Sequence, residues 1–347
     1  MLPRPTPHSL RITAQTLVVG GIGAAVAEAV HAPIAVLTGP ALVVSLAAMA
    51  GLRTGIDDTV RNLVFLLVGV SIGSGVDASA TQAMTRWPLA FVALGIMLWA
   101  TLWICARLLQ RGFNMDRRSA YLAAAPGHLS FVVGLSTGLG LDTTRILVIQ
   151  SVRLLALTLT VPVIALAFGY ELTGQVLPTG VPMLWWDLVK LLIAGFALGF
   201  ALDKIGLPAP LLIGGMLASS FGHATDLTPG TMHPWLAYGG LMVVGTLIGA
   251  RFNGLSRRAL VASLAAGLTI TALTVIGALI AAVPVAFALG FDPTHVLVAF
   301  APGGLETMIA MGIVLGANPG FVAACHVARL LYLTVLLPAY VGRITRP

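Results

Sequence analysis

The chain has 347 residues, 58% of them hydrophobic and only 9% charged, and its mean hydropathy is +0.99. A soluble domain carries roughly 25% charged residues, so this composition excludes a water-soluble globule and points to an all-α polytopic membrane protein. The net charge of +7 comes from Lys and Arg scattered through short loops, with no basic helix or aromatic-basic patch, which argues against nucleic acid as a partner.

Apolar stretches long enough for a ~30 Å hydrocarbon layer recur from end to end. In the first half they lie near 11–29, 34–52, 62–76, 88–108, 119–140 and 143–169. In the second half they lie near 184–202, 208–222, 235–250, 259–289, 295–316 and 319–341. The opening run follows Arg4 and Arg11 and precedes Ala27-Glu28-Ala29, which mimics a signal peptide. Its counterpart at 190–204 argues that it is retained. Cys105 and Cys325 fall inside apolar segments and read as small buried residues rather than a disulfide framework.

The two halves are copies of one unit. At an offset of 176 residues, Ala125-Pro126-Gly127 matches Ala301-Pro302-Gly303, and Leu139-Gly140 matches Leu315-Gly316. Arg153-Leu154-Leu155 likewise matches Arg329-Leu330-Leu331, Thr158 matches Thr334, and Pro162 matches Pro338. Nearer the start of each half the offset is 175, pairing Gly20 with Gly195, Glu28 with Asp203, Pro33 with Pro208 and Gly39 with Gly214. Gly69-x-x-x-Gly73 and Gly245-x-x-x-Gly249 are small-residue faces suited to close helix packing.

The fifth segment of each half carries a helix-breaking Pro-Gly. If all twelve segments crossed, Arg251, Arg257 and Arg258 would fall outside, against the positive-inside rule. If each fifth segment enters and returns on one side, the loop arginines collect on the cytoplasmic face and only Arg86 and Lys190 face out. The expected architecture is therefore two inverted-topology repeats with about 5+5 transmembrane helices. These are a first repeat over 1–170, an extracytoplasmic linker over 171–182 and a second, inverted repeat over 183–347. Both termini are expected in the cytoplasm and the protein in a bacterial inner membrane. Whether the fifth segments are hairpins or unwound crossing helices stays open, as does a homodimer.

Inverted repeats that each carry an interrupted segment are the sequence pointer to a secondary transporter. The helix breaks at Pro126, Gly127, Pro302, Gly303 and Gly304 free carbonyls at one end and expose N–H groups at the other. Arg153 and Arg329 each sit ten residues into the following helix, about 15 Å deep. A guanidinium there could hold a carboxylate or phosphate, or it could pin carbonyls in place. Glu306 stands three residues beyond Gly303, where the first half has Ser130, and is the candidate for a coupling ion or proton. A salt bridge to Arg329 is its structural alternative. His128, Ser130 and Thr307 could add substrate contacts. No nucleophile-base pair and no metal-ligand spacing is visible, so no enzyme activity, cofactor or metal is expected.

The paired "APGHLS" at 125–130 and "APGGLE" at 301–306, each followed by an Arg-Leu-Leu helix, resemble the AbrB family of bacterial membrane proteins over nearly the whole chain. The resemblance implies a duplicated integral-membrane unit. The labels carried in that family range from regulator of gene expression to ammonia monooxygenase. The arrangement is also similar to the cation/proton antiporter and anion transporter group at the level of fold. The leading expectation is alternating-access transport of a small, anionic metabolite coupled to H+ or Na+. The alternative is a membrane sensor that affects gene expression indirectly, and a membrane monooxygenase comes last.

Overall fold

A computed structural model describes residues 5–74, 87–127, 129–167, 180–207 and 209–342. The chain is an all-α polytopic membrane protein. Among the described residues its helices are α1 (Pro7–Ala29), α2 (Ala35–Met49), α3 (Asp58–Gly73), α4 (Trp87–Phe113), α5 (Arg117–Ala124), α6 (Leu129–Gly138) and α7 (Thr143–Ala167). They continue with α8 (Trp185–Lys204), α9 (Pro210–Ala224), α10 (Pro234–Ala250), α11 (Arg257–Leu289), α12 (Pro293–Phe300), α13 (Leu305–Val314) and α14 (Pro319–Val341).

Six of these helices are long and apolar enough to cross a bilayer: α1, α4, most of α7, α8, α11 and α14. The helices α2, α3, α9 and α10 have 15, 16, 15 and 17 residues, or about 22–26 Å at 1.5 Å per residue. They are shorter than the hydrocarbon layer. Large apolar side chains lie exposed along the long helices, among them Ile22 and Val26 on α1, Ile193 and Phe200 on α8, and Ile280 and Phe287 on α11. Such faces are stable only against lipid or protein.

The chain folds as two compact units, and each takes its helices from both halves of the sequence. The first comprises residues 1–85, 158–254 and 306–322, and the second 86–157, 255–305 and 323–347.

In the first unit, α2 packs against α1 and α10, α9 packs against α8 and α3, and α3 meets α10. Glycines set these crossings. A Cβ on Gly69 would run into the Leu212 carbonyl oxygen, and one on Gly245 would run into the Leu37 carbonyl oxygen. One turn on, Gly73 faces the Met216 carbonyl, the Ser219 Cβ and the Ser220 amide. Gly249 faces the Ala41 carbonyl, the Val44 Cβ and the Ser45 amide. Every one of these pairs maps onto the other through the offsets of 176 and 175 read from the sequence. The two glycine pairs therefore do what small-residue faces do, letting backbones approach closely. Helices α2 and α9 also begin alike, each from a left-handed residue, Ile34 at φ 50 and Ala209 at φ 46.

The segment before α3 is tied along α1 by side chains. The Gly55 amide donates to Thr16 Oγ1 at 3.0 Å and the Asp57 amide to Thr13 Oγ1 at 2.8 Å. Asp57 caps α3 by accepting from the Thr59 amide at 2.9 Å, and it accepts from Ser9 Oγ at 2.6 Å. The Ser9 hydroxyl, first, and the Thr59 amide then hold the Asp57 carboxyl below its usual pKa. A carboxyl depressed in the folded state adds stability above its unfolded pKa and loses it as pH falls through the folded value. We therefore expect Asp57→Ala to lower the melting temperature at neutral pH, with the gap to wild type closing on acidification below the carboxylate range. A constant gap across pH would contradict this.

In the second unit, α4 packs on α5 and on α11, and α11 packs on α12. Its core is built from Leu98, Leu102, Leu109, Leu122, Ile146, Ile149, Ile270 and Leu333, with the Tyr121 ring stacked on Tyr340 at 4.4 Å. Cys105 and Cys325 are buried and unbonded, as small core residues.

Candidate functional site

The two Pro-Gly segments break as expected, and they break at matching residues. Helix α5 ends at Ala124 and α12 at Phe300, while α6 begins at Leu129 and α13 at Leu305. Each first half-helix starts on an aspartate cap, Asp116 accepting from the Ser119 amide at 3.0 Å and Asp292 from the Thr294 amide at 2.8 Å. Each stops because the residue before a proline is driven out of the helical region. Accordingly Ala125 has ψ 122 and Ala301 has ψ 138. Gly127 then turns the chain at φ 83, a conformation that favours glycine.

Ala124, Ala125, Pro126, Ala301, Pro302 and Gly303 are buried and Gly127 is exposed, so the carbonyls freed at 124, 125, 301 and 303 are costly unless something donates to them. Arginines do so. Arg153, ten residues into α7, donates from Nη1 to the Ala124 carbonyl at 3.1 Å and from Nη2 to the Ala125 carbonyl at 2.7 Å. Arg329, ten residues into α14, donates from Nη1 to the Ala301 carbonyl at 2.7 Å and from Nη2 to the Gly303 carbonyl at 2.8 Å. Both side chains are only 2% exposed. A guanidinium is charged at any physiological pH and its fork suits paired oxygens. Here it also meets the partial negative end of a helix.

One turn before Arg153, Gln150 Nε2 donates to the Leu122 carbonyl at 2.9 Å. Gln150 was not among the residues picked out from the sequence. It shares the helix face of Arg153 at a spacing of three, and His326 holds the matching place before Arg329. That pattern was the available signal. Replacing Gln150 by Leu leaves the Leu122 carbonyl without its donor, and we expect a loss of about 1–2 kcal/mol in unfolding free energy. An unchanged denaturation midpoint would show that this carbonyl finds another donor at no cost.

The remaining residues divide. Pro126 and Gly127 lie at the first break, and Pro302 and Gly303 at the second, with Gly304 half-buried beside it. Thr307 is buried in the first turn of α13. Ser130 and Glu306 occupy the second position of α6 and α13, where a carboxylate is favoured by the positive helix end. Their side chains, and His128 as a whole, lie outside the described residues, as does the linker from 171 to 179.

A family model described as "Transition state regulatory protein AbrB" matches residues 36–345. The chain belongs to the AbrB family. It is 24% identical over 314 residues to "Uncharacterized protein YhjN" of Bacillus subtilis (strain 168), covering 84% of this chain and 80% of that one. It is 35% identical over 106 residues to "Putative regulator AbrB" of Escherichia coli (strain K12), covering 30% of each. The family match takes in both breaks and both arginines.

Proposed function

We propose that this AbrB-family protein is a secondary transporter that moves a small anionic metabolite across a bacterial cytoplasmic membrane by alternating access, coupled to H+ or Na+. The observation that carries the reading is the pair of helix breaks, each with its carbonyls held by a buried arginine from the helix that follows. Non-helical backbone at membrane depth survives only where protein buries it or water reaches it, and paired interruptions are a transporter's hallmark. The matched glycine contacts of α2 with α10 and of α9 with α3 support two repeats of one unit. Loop charge supports their inversion, with both termini cytoplasmic.

The division of labour follows from which groups are already engaged. The carbonyls of Ala124, Ala125, Ala301 and Gly303 accept from guanidinium groups, so a coupling cation would not use them and that role falls to Glu306. The arginines act on substrate by fixing the breaks and by placing positive charge there. The N–H groups at the start of α6 and α13 add to that potential, which suits a carboxylate or phosphate.

The test is uptake into proteoliposomes of labelled small mono- and dicarboxylates and inorganic phosphate, under an inward H+ or Na+ gradient. Accumulation of at least one of them under one gradient, abolished in Glu306→Gln, is the expected result. The proposal loses its basis if no gradient drives uptake of any of them. If Glu306→Gln accumulates solute as wild type does, the ion-coupling role is wrong.

A second reading is indirect control of gene expression, favoured by the descriptions of the family and of the Escherichia coli relative as regulators. The sequence leaves no stretch between its apolar segments long enough for a DNA-reading domain of about 50 residues or more, so control would pass through a partner protein. That partner would dock on the loops around 107–118 and 251–258. Cross-linking from those loops would capture it, and vesicles holding the purified protein would take up nothing.

A further inference from the structure

We infer that Arg329 registers the two helix breaks against each other, so that a displacement at one is felt at the other. Arg153 and Arg329 stand at matching positions, and each donates to the carbonyls of the break before its own helix. Among the described residues, Arg153 donates to the Ala124 and Ala125 carbonyls of its own break. Arg329 donates to the Ala301 and Gly303 carbonyls of the second break, and its guanidinium also lies against the first. A Cβ on Gly127 would stand 2.5 Å from Arg329 Nη2, 3.2 Å from Cζ and 3.4 Å from Nε.

The same Nη2 that donates to Gly303 is thus the atom that a Cβ at 127 would strike first. Two charge-assisted hydrogen bonds orient the guanidinium, and such bonds are short and directional. The planar group cannot yield to a side chain at 127 without turning away from at least one carbonyl of the second break. Residue 127 is glycine for two separate reasons, its φ of 83 and the absence of a Cβ. Arg329 is a positioning residue in this account. Its consequence for transport rests on the function proposed above, whereas the coupling between breaks does not.

Hydrogen exchange of the purified full-length protein, read by mass spectrometry, tests this. Gly127→Ala should speed exchange not only around the first break but also over residues 299–305, by about tenfold. Gly140→Ala supplies the control. Gly140 also has positive φ, at 64, but a Cβ there meets nothing within 4 Å, so its effect should stay local. From the other side, Arg329→Lys should speed exchange at both breaks and Arg153→Lys only at the first. Because Lys leaves room beside residue 127, the effects of Gly127→Ala and Arg329→Lys on 299–305 should fall short of additive when combined.

If Gly127→Ala leaves 299–305 unchanged, or Arg329→Lys disturbs only 299–305, or the two add fully, the coupling is refuted. Should Gly127→Ala fail to fold, the lysine variants still decide. An absence of uptake would overturn the transporter reading and leave these exchange results standing. Where uptake is measurable, Gly127→Ala should lower the maximal rate and leave KM close to wild type.

Discussion

Arg153→Met and Arg329→Met are each expected to destabilise the protein by about 2–5 kcal/mol and to abolish any transport. Methionine keeps much of the arginine stem and volume but has no donor. The Ala124 and Ala125 carbonyls, or those of Ala301 and Gly303, then lose the groups now donating to them. One effect opposes this, because removing a guanidinium also removes the cost of keeping it away from water. That relief does not win. Deleting one partner of a buried polar pair leaves the other stranded, and stranding costs more than the intact pair contributes. Lysine should fall between, since a single ammonium keeps the charge but cannot fork across two carbonyls. Thermal denaturation in detergent checks the order wild type, Lys, Met. Methionine variants that melt with wild type would mean that the breaks are held by something else.

The second large effect lies in the first compact unit. Gly245→Ala should sharply lower the yield of folded protein, whereas Gly239→Ala on the same helix should not. A Cβ at 245 meets the Leu37 backbone oxygen, and backbone cannot step aside as a flexible side chain can, whereas a Cβ at 239 meets nothing within 4 Å. Overpacking of this kind costs about 1–3 kcal/mol. At an open helical site the same change gains about 0.5–1 kcal/mol from reduced backbone entropy. Gly69→Ala should behave as Gly245→Ala does, because the Leu212 oxygen stands where the Leu37 oxygen stands in the other half. Monodisperse yield and melting temperature of the three variants decide. Equal behaviour of the 245 and 239 variants would remove the glycine crossings as the lock on these helices.

Much of the architecture was legible because its causes are local. Hydropathy marks membrane helices, and a Pro-Gly inside such a run must break it, so α5, α6, α12 and α13 fall where the sequence puts the interruptions. The family resemblance was legible in the same residues, and the family match now covers them. What could not be read was the use of each side chain. The sequence left Arg153 and Arg329 between holding substrate and pinning carbonyls, and their hydrogen bonds go to carbonyls. Gln150 escaped notice because an amide in a membrane helix looks ordinary until a half-helix end is seen 28 residues away in the chain. The contact of Arg329 with Gly127 joins segments from opposite halves, and no local pattern announces it. Nor does the sequence reveal that each compact unit draws on both halves, since that depends on which helices pack rather than which are neighbours.

Solute counterflow separates alternating access from a pore. Vesicles holding the purified protein are loaded with an unlabelled carboxylate or phosphate and diluted into a trace of the same labelled solute, with no ion gradient imposed. A carrier with one site open to one side at a time exchanges label for unlabelled solute. A transient overshoot of labelled solute above its equilibrium level, lost in Arg329→Met, is therefore expected. Label that only rises to equilibrium, at the same rate with and without internal solute, would indicate a pore. Label that does not enter at all, for every anion tried, would contradict transport itself.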